Sequence, residues 1–186
     1  MQRRSFLKTA ASIVPAAALH DVLAAQTPLL PPSSVPHVVA SSEDRFGHPY
    51  TLGFSTMACR VGTSETSGGL FVIEHTHLRS GGGPSLHYHL HQEEWFYVIE
   101  GDVDFQVGDQ RLHLHPGESV LAPRQIPHTF SCVSTTPGRL LIAFCPAGKM
   151  EAYFHDARDA GPAAFEPAFM NRYEMQYVGP SPFWKS

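Results

Sequence analysis

The chain contains little cysteine and little charge for its length. Three cysteines occur among 186 residues, and charged residues make up 16% of the chain, with a formal net charge of -4 and no basic stripe. A disulfide framework, a thiolate metal site and a nucleic-acid partner are therefore not expected. Cys59, Cys132 and Cys145 lie in apolar β-like runs and are predicted to be small, buried hydrophobic residues.

The chain also lacks an apolar run of the ~20 residues that a membrane-spanning helix needs. Its weakly apolar stretch at residues 9–19 follows Arg3 and Arg4 and ends at His20 and Asp21. This arrangement predicts a bacterial signal peptide over residues 1–25, and residues 3–8 resemble the twin-arginine export signal, although Gln2 stands where that pattern has Ser or Thr. A basic Sec-type signal is the alternative. We expect export to the periplasm or beyond, and no membrane association after cleavage.

Hydrophobic residues are abundant, at 42% of the chain, which suits one compact domain with a substantial core. Residues 26–36 carry four prolines and no periodicity, so they predict an extended arm. We divide the chain into a signal peptide (1–25), a proline-rich arm (26–40), a β-barrel (41–147) and a C-terminal helical segment with a tail (148–186).

Short runs rich in β-branched and aromatic residues follow the arm and are separated by Gly, Pro and Asp turns. This spacing predicts an all-β sandwich or barrel. Gly108 and Asp109 are predicted to form a tight hairpin turn with positive φ. The predicted strands cover residues 54–60, 70–78, 95–99, 103–107, 120–122, 128–133 and 140–145.

Helical periodicity occurs only near the C-terminus. Residues 149–158 place Met150, Tyr153, Phe154 and Ala157 on one face, and residues 167–177 space three aromatic residues four apart. We therefore expect one or two short helices, packed against the outside of the barrel.

Histidine is the residue type that indicates chemistry, with twelve copies in the chain. His87 and His89 project from the same face of a strand because side chains alternate along it. A turn before Glu94 would bring this carboxylate to the interior, and His128 begins a later strand facing the same interior. Three neutral imidazoles and one carboxylate could bind one divalent ion and leave coordination positions open for substrate or water.

Two sequence motifs support this arrangement. Gly81, His87, His89, Glu94 and Gly101 fill the pattern G-x5-H-x-H-x3,4-E-x6-G, and residues 117–132 follow G-x5-P-x-G-x2-H-x3-N after a gap of fifteen residues. Both motifs are those of the cupin family, which this chain resembles over about residues 51–147. Gln125 replaces the Gly of the second motif and Cys132 replaces its Asn.

The resemblance implies the cupin double-stranded β-helix, also called a jelly-roll barrel. It also implies that His87, His89, Glu94 and His128 bind one divalent metal ion, and that Glu94 is catalytic, accepting a proton from a substrate hydroxyl. We expect Mn or Fe, because export of a folded protein allows the metal to be inserted in the cytoplasm; Ni, Cu and Zn are the alternatives.

The single-domain layout is similar to that of quercetinase-like cupins, so the resemblance implies a dioxygenase that uses O₂ and a small phenolic or enolic compound such as a flavonol. The same scaffold also carries isomerases, lyases, decarboxylases and non-catalytic metal or ligand binders, and these alternatives stay open. A homodimer is a further expectation. The predicted pocket residues are Phe96, Phe105, Phe130, Cys132 and Phe144.

Other polar residues are predicted to have structural roles. The pairs His75 with His77 and His113 with His115 repeat the His-x-His spacing but lack a following Glu, so we expect solvated or hydrogen-bonded strand faces. His91 and Glu93 are expected in the loop before Glu94. Glu74 could act as a base near the metal, but an exposed strand position is the simpler expectation.

Overall fold

A computed structural model of the protein describes residues 36–184. The predicted signal peptide and residues 26–35 of the predicted arm lie outside the described residues. Within residues 36–184, no helix is long and apolar enough to span a membrane.

The described residues form an all-β fold with short helices only near the C-terminal end, as predicted. Helix α1 spans Met150–Ala160 and helix α2 spans Pro167–Arg172, and 3₁₀ helices cover Thr63–Thr66 and Gly161–Phe165. The strands are β1 (Tyr50–Leu52), β2 (Ser55–Val61), β3 (Phe71–Leu78), β4 (Leu86–His89), β5 (Glu93–Glu100), β6 (Val103–Val107), β7 (Gln110–Leu114), β8 (Ser119–Ala122), β9 (His128–Cys132), β10 (Gly138–Cys145) and β11 (Met175–Gly179).

The strands form two antiparallel sheets. One has the order β1-β2-β3-β10-β5-β8 and the other the order β11-β4-β9-β6-β7. Alternating residues of these strands are buried in one hydrophobic core, which includes Ile73, Phe96, Phe105, Phe130 and Ile142. The alternation follows from the two-residue period of a strand, which sends every second side chain to the core. This architecture is the predicted jelly-roll barrel.

The predicted hairpin joins β6 to β7 through a two-residue turn, since Val107 pairs with Gln110. Gly108 has a φ of 57°, a conformation that glycine adopts without steric cost. Asp109 does not have a positive φ, so the predicted positive φ is found at Gly108 alone.

The predicted helix over residues 167–177 is wrong beyond Arg172. Glu174 takes a left-handed φ of 64°, which ends the helical run, and Met175–Gly179 forms a strand instead. Met175 pairs with His89 and Tyr177 with His87, so β11 satisfies the backbone of β4 on the side away from β9. Tertiary pairing thus overrides the helical spacing of the aromatic residues.

The placement of the helices also differs from the prediction. Met150, Tyr153 and Phe154 of α1 line the same interior cavity as His87 and His89, together with Met170 of α2. The apolar face of α1 therefore packs over the interior of the barrel rather than against its outer surface.

The three cysteines are free, and two of them are buried as predicted, Cys59 and Cys132. The prediction is wrong for Cys145, which is exposed at the end of β10. Phe144 points into the core, and the alternation of the strand turns its neighbour outward.

Candidate metal centre

Strand β4 presents two imidazoles to the interior. His87 and His89 are buried, whereas Leu86 and Tyr88 are only half-buried. The chain enters β4 through a run of glycines, and a Cβ atom at Gly83 would lie 1.8 Å from the carbonyl oxygen of Phe130. Only a residue without a side chain allows this close approach of the β4 entry to β9.

The remaining two members of the cluster come from β5 and β9. Glu94 is the first buried residue of β5, which begins after a turn at residues 90–92. His128 is the first residue of β9 and pairs directly with His87 of β4. The predicted change of parity between His89 and Glu94 is thus produced by the turn.

The four side chains converge in one cluster, in which each offers a ligand atom within 4.8 Å of the others. Oε2 of Glu94 lies 2.9 Å from Nε2 of His89 and 2.8 Å from Nε2 of His128. The rings of His87 and His128 have centroids 4.8 Å apart. All four residues are buried, with between 1% and 6% of their surface exposed.

Backbone carbonyls orient two of the imidazoles. Nδ1 of His87 lies 2.8 Å from the carbonyl oxygen of Ser85, and Nδ1 of His128 lies 2.9 Å from that of Ile126. A carbonyl can only accept, so both Nδ1 atoms carry protons, and in the neutral rings Nε2 presents a lone pair to the cluster.

This arrangement fits a cation. Neutral His128 would turn its Nε2 lone pair towards an oxygen of the Glu94 carboxylate, and two electron-rich atoms at 2.8 Å repel each other. A divalent ion between them would convert this repulsion into coordination, and the imidazole and carboxylate donors suit such ions.

Burial favours the uncharged forms of His87 and His89. It lowers the pKa of His87 to about 3, with His128 and His89 contributing in the same direction, and it lowers the pKa of His89. Burial alone would raise the pKa of Glu94, but the close contacts of its carboxylate with His128 and His89 outweigh burial and hold this pKa well below its usual range. At neutral pH His87 and His89 are therefore neutral imidazoles and Glu94 is a carboxylate.

Nδ1 of His89 differs from those of the other two histidines because it is buried without a hydrogen-bond partner in residues 36–184. An unsatisfied buried polar atom costs about 1–3 kcal/mol. Apart from the contact of its Nε2 with Glu94, His89 is thus held by packing, including an edge contact with Phe144 at 5.5 Å between ring centroids.

A small cavity adjoins the cluster. Its volume is about 50 Å³, about one third of the ~150 Å³ in an apolar cavity that holds benzene. Its described lining includes no Lys or Arg. The residues around it are Leu52, Phe54, Met57, His75, Pro84, Ser85, His87, His89, Glu94, Phe130, Ile142, Phe144, Met150, Tyr153, Phe154, Phe165, Met170 and Met175.

The predicted pocket residues divide into two groups. Phe130 and Phe144 line the cavity. Phe96, Phe105 and Cys132 do not line it and are core residues instead. Phe96 packs against Phe105, with ring centroids 5.1 Å apart, and lies 6.1 Å from the ring of His128. These three side chains lie in the core and support the cluster from there, because neighbouring aromatic rings fill the inward-facing positions around them.

Sequence reasoning missed His75 as a cavity residue. It is buried on β3, and its Nδ1 lies 2.6 Å from Oγ of Ser55. His77 is exposed, with a φ of 52° that breaks the alternation of the strand. The predicted common face for this pair is therefore wrong. The pattern of apolar residues around β3 could have indicated a central strand, whose inward positions lie in the interior.

Other polar residues have the structural roles that the sequence suggested, with two exceptions. His91 is exposed in the turn, as predicted, but Glu93 is the first residue of β5 rather than part of the loop, and it pairs with Arg124 at 2.5 Å. The expectation of an exposed Glu74 is wrong: it is buried between Arg60 and Arg139. Because it alternates with Ile73 and His75 along β3, Glu74 faces away from the cavity, where these two guanidinium groups neutralise it.

The two departures from the second motif have different consequences. Gln125 keeps a left-handed φ of 63°, and its backbone N–H donates to the carbonyl of His89 at 2.8 Å. The loop geometry is thus retained without glycine. Cys132 is fully buried in the core, where its thiol replaces the amide of the usual Asn.

Comparisons with known proteins agree with this architecture. Residues 74–144 match the Cupin domain family. Quercetin 2,3-dioxygenase of Bacillus subtilis is 28% identical over 102 residues, which are 54% of this chain and 29% of that protein. The chain thus matches less than a third of the length of this curated relative.

Two solved structures share the fold. An RmlC-like cupin from Shewanella frigidimarina has a TM-score of 0.53 at 19% identity, over 63% of this chain and 96% of that chain. A predicted oxalate decarboxylase from Thermotoga maritima has a TM-score of 0.54 at 18% identity, over 59% and 99%. The fold of this chain is the cupin jelly roll. The match to the Cupin domain family and the similarity to the distant quercetin 2,3-dioxygenase support its place in the cupin superfamily.

Proposed function

We propose that this protein is a metal-dependent cupin enzyme, a dioxygenase that acts on a small phenolic or enolic compound. The observation that carries the proposal is the buried cluster of His87, His89, Glu94 and His128 beside an apolar cavity. The similarity to a quercetin 2,3-dioxygenase supports the choice of reaction.

The size of the cavity limits the substrate. A volume of about 50 Å³ does not hold even one aromatic ring, so a phenolic substrate requires the wall to move. Met150 and Met170 of the helices form part of that wall, and methionine side chains repack readily. A compound with one ring needs a smaller movement than a flavonol with three rings, and we therefore favour the smaller substrate.

The charge of the cavity limits the substrate as well. Its described lining provides no Lys or Arg, so a small dianionic acid would find no counter-charge in the protein. A phenol or enol, which is neutral or carries one negative charge, suits this wall better. This argues against an oxalate-like substrate.

The side chains of the site would have separate roles in metal binding, proton transfer and exclusion of water. His87, His89, Glu94 and His128 would hold one divalent ion. Mn or Fe is our choice, because insertion in the cytoplasm before export would let a weakly competing ion bind ahead of Cu or Zn. What the ion would supply is polarisation of a substrate oxygen and reaction with O₂. Glu94 would accept the proton of the substrate hydroxyl, and Phe130, Phe144 and Phe154 would exclude water from the ring.

Oxygen uptake by metal-loaded protein tests the proposal. A panel of catechols, diketones and flavonols should give uptake with at least one member, and the one-ring compounds should be the better substrates. Uptake should vanish in His128→Ala, while His113→Ala, a substitution of an exposed histidine, should retain it.

Two other outcomes would contradict the proposal. Conversion of a panel member without O₂ would favour an isomerase, lyase or decarboxylase. Stoichiometric metal with no conversion of any compound would favour a binding protein.

A further inference from the structure

His75 occupies an unusual position for a polar side chain. Its ring stacks on Phe54 at 5.9 Å and meets the edge of Phe130 at 5.9 Å. One edge of the ring is held by Ser55, whose Oγ lies 2.6 Å from Nδ1. The opposite edge carries Nε2, and the ring lines the cavity beside the metal cluster. Ser55 thus fixes the ring in an orientation that leaves Nε2 for a ligand.

Ser85 provides a second polar group in the same wall. Only 2% of this residue is exposed, and its Oγ has no hydrogen-bond partner in residues 36–184. Its carbonyl oxygen orients His87, so the side chain is not needed for that contact. A buried hydroxyl without a partner costs about 1–3 kcal/mol, a cost that a bound ligand would offset.

The rest of the wall leaves few alternatives for binding a polar group. Apart from the three cluster residues that line it, His87, His89 and Glu94, its described polar side chains are His75, Ser85 and Tyr153. The hydroxyl of Tyr153 already donates to the carbonyl of Ala164 at 3.2 Å. Outside the metal cluster, His75 and Ser85 are therefore the two polar side chains of the described wall with hydrogen-bonding capacity to spare.

We propose that His75 and Ser85 form a polar subsite that binds a hydroxyl group of the substrate. The inference rests on the proposed function in one respect, because the metal cluster would hold other oxygens of the same molecule. The ligand class is a compact, mostly apolar ring with a chelating pair of oxygens and one further hydroxyl.

Hydrogen-bonding chemistry selects a hydroxyl over other groups. Depending on its tautomer, Nε2 of His75 is a donor or an acceptor, and a serine hydroxyl is both. A ligand hydroxyl can donate and accept, so it suits either tautomer. A carboxylate is disfavoured because burial lowers the pKa of His75 to about 4, which keeps the ring uncharged at neutral pH.

Anaerobic binding of matched probes to the metal-loaded protein tests the subsite. Catechol carries only the chelating pair, and 1,2,3- and 1,2,4-trihydroxybenzene each add one hydroxyl. We expect one of the two trihydroxybenzenes to bind roughly tenfold more tightly than catechol in calorimetry, in line with one well-formed hydrogen bond to a buried group. Ser85→Ala and His75→Phe should reduce that ratio to near one, with metal content and catechol affinity retained.

The chain offers matched controls. Ser131→Ala removes a buried serine that does not line the cavity, and His77→Asn changes the exposed neighbour of His75 at a left-handed position that Asn tolerates. Both should keep the wild-type ratio. Ser85→Ala removes an unsatisfied hydroxyl and should fold at least as stably as wild type, so this variant keeps the test valid even if His75→Phe unfolds.

The outcomes separate the subsite from the reaction. A trihydroxybenzene preference that Ser85→Ala abolishes supports the subsite even if no oxygen is consumed. An unchanged preference in Ser85→Ala and a folded His75→Phe overturns the subsite even if oxygen uptake is observed. Wild-type protein that binds no probe, or binds all three equally, also overturns it.

Discussion

Two regions of this molecule contain the same His-x-His spacing and differ in almost everything else. His87 and His89 lie on β4, buried, and join Glu94 and His128. His113 and His115 are exposed, the first on β7 at the edge of its sheet and the second just after it. The spacing puts two imidazoles on one face in both regions, and the position of the strand determines whether that face meets the core or the solvent.

The exposed pair also has carboxylates nearby, and its rings lie 4.8 Å apart. Asp104 contacts His113 at 2.6 Å, and Asp102 contacts His115 at 2.9 Å. Asp102, His113 and His115 could approach one ion, but water and the two aspartates already satisfy these exposed groups. The buried cluster has no such alternative, and we therefore expect the two regions to differ most strongly in metal retention.

The largest expected difference is in metal content. His128→Ala removes one of four buried ligands and should lose stoichiometric metal, with affinity reduced by at least 100-fold, because no water-exposed group can replace the imidazole. The double substitution of His113 and His115 by Ala should retain one ion per chain. Elemental analysis after gel filtration measures both. Equal loss in the two proteins would contradict the distinction.

Thermal stability should differ next. Metal that binds the folded chain at ~1,000 times its Kd adds about 4 kcal/mol, or roughly 10 °C in Tm for a domain of this size. Removing the ion with a chelator should lower Tm by that amount in wild type and in the exposed double variant. In His128→Ala the chelator should have almost no effect.

The sequence predicts those parts of the site that depend on local features of the chain, such as strand alternation and turns. The four cluster residues lie in strands whose alternation and turns are visible in the chain, so their convergence could be predicted. The apolar pattern of β3 could indicate that His75 is buried but not that it lines the cavity, because that depends on β3 lying between β2 and β10. The same is true of Phe96 and Phe105, which are buried like Phe130 but do not line the cavity.

The C-terminal part shows the same limit. Residues 149–158 carry a strong helical pattern and form most of α1, whereas residues 175–179 form a strand because β4 offers an unpaired backbone. Helical spacing of aromatic residues cannot reveal such pairing. Nor could it reveal that α1 would cover the cavity instead of the outer surface.

The buried His75 and the exposed His115 should change the stability of the protein with pH in opposite directions. Burial lowers the pKa of His75 to about 4, with Glu94 acting in the other direction. Between pH 6.5 and 4 the unfolded chain therefore binds a proton that the folded chain does not, and stability falls as the pH falls. Because one pKa unit corresponds to about 1.4 kcal/mol, this residue lowers the free energy of unfolding by roughly 3 to 4 kcal/mol once the pH is below 4.

The hydrogen bond with Asp102 raises the pKa of His115, so the exposed residue adds stability at low pH that is lost as the pH rises through its folded pKa. Urea unfolding of metal-free protein should show a shallower acid limb in His75→Phe and a slightly steeper one in His115→Ala. Parallel curves for wild type and both variants would contradict this assignment.

The smallest expected effect concerns the backbone that supports the buried region. Gln125 holds a left-handed φ of 63° next to the carbonyl of His89, a conformation that costs a non-glycine residue roughly 1 kcal/mol. Gln125→Gly relieves this strain but loosens the unfolded chain, so we expect a gain of less than about 1 kcal/mol in the free energy of unfolding. Denaturant titration measures it, and a loss above 1 kcal/mol would show that the glutamine side chain stabilises the loop.

The most direct test of the account is the position of the metal itself. Crystals of metal-loaded protein, measured at the absorption edge of the bound ion, should show one strong anomalous peak among His87, His89, Glu94 and His128. A peak only at Asp102, His113 and His115, or no peak from protein with stoichiometric metal, would contradict the central claim.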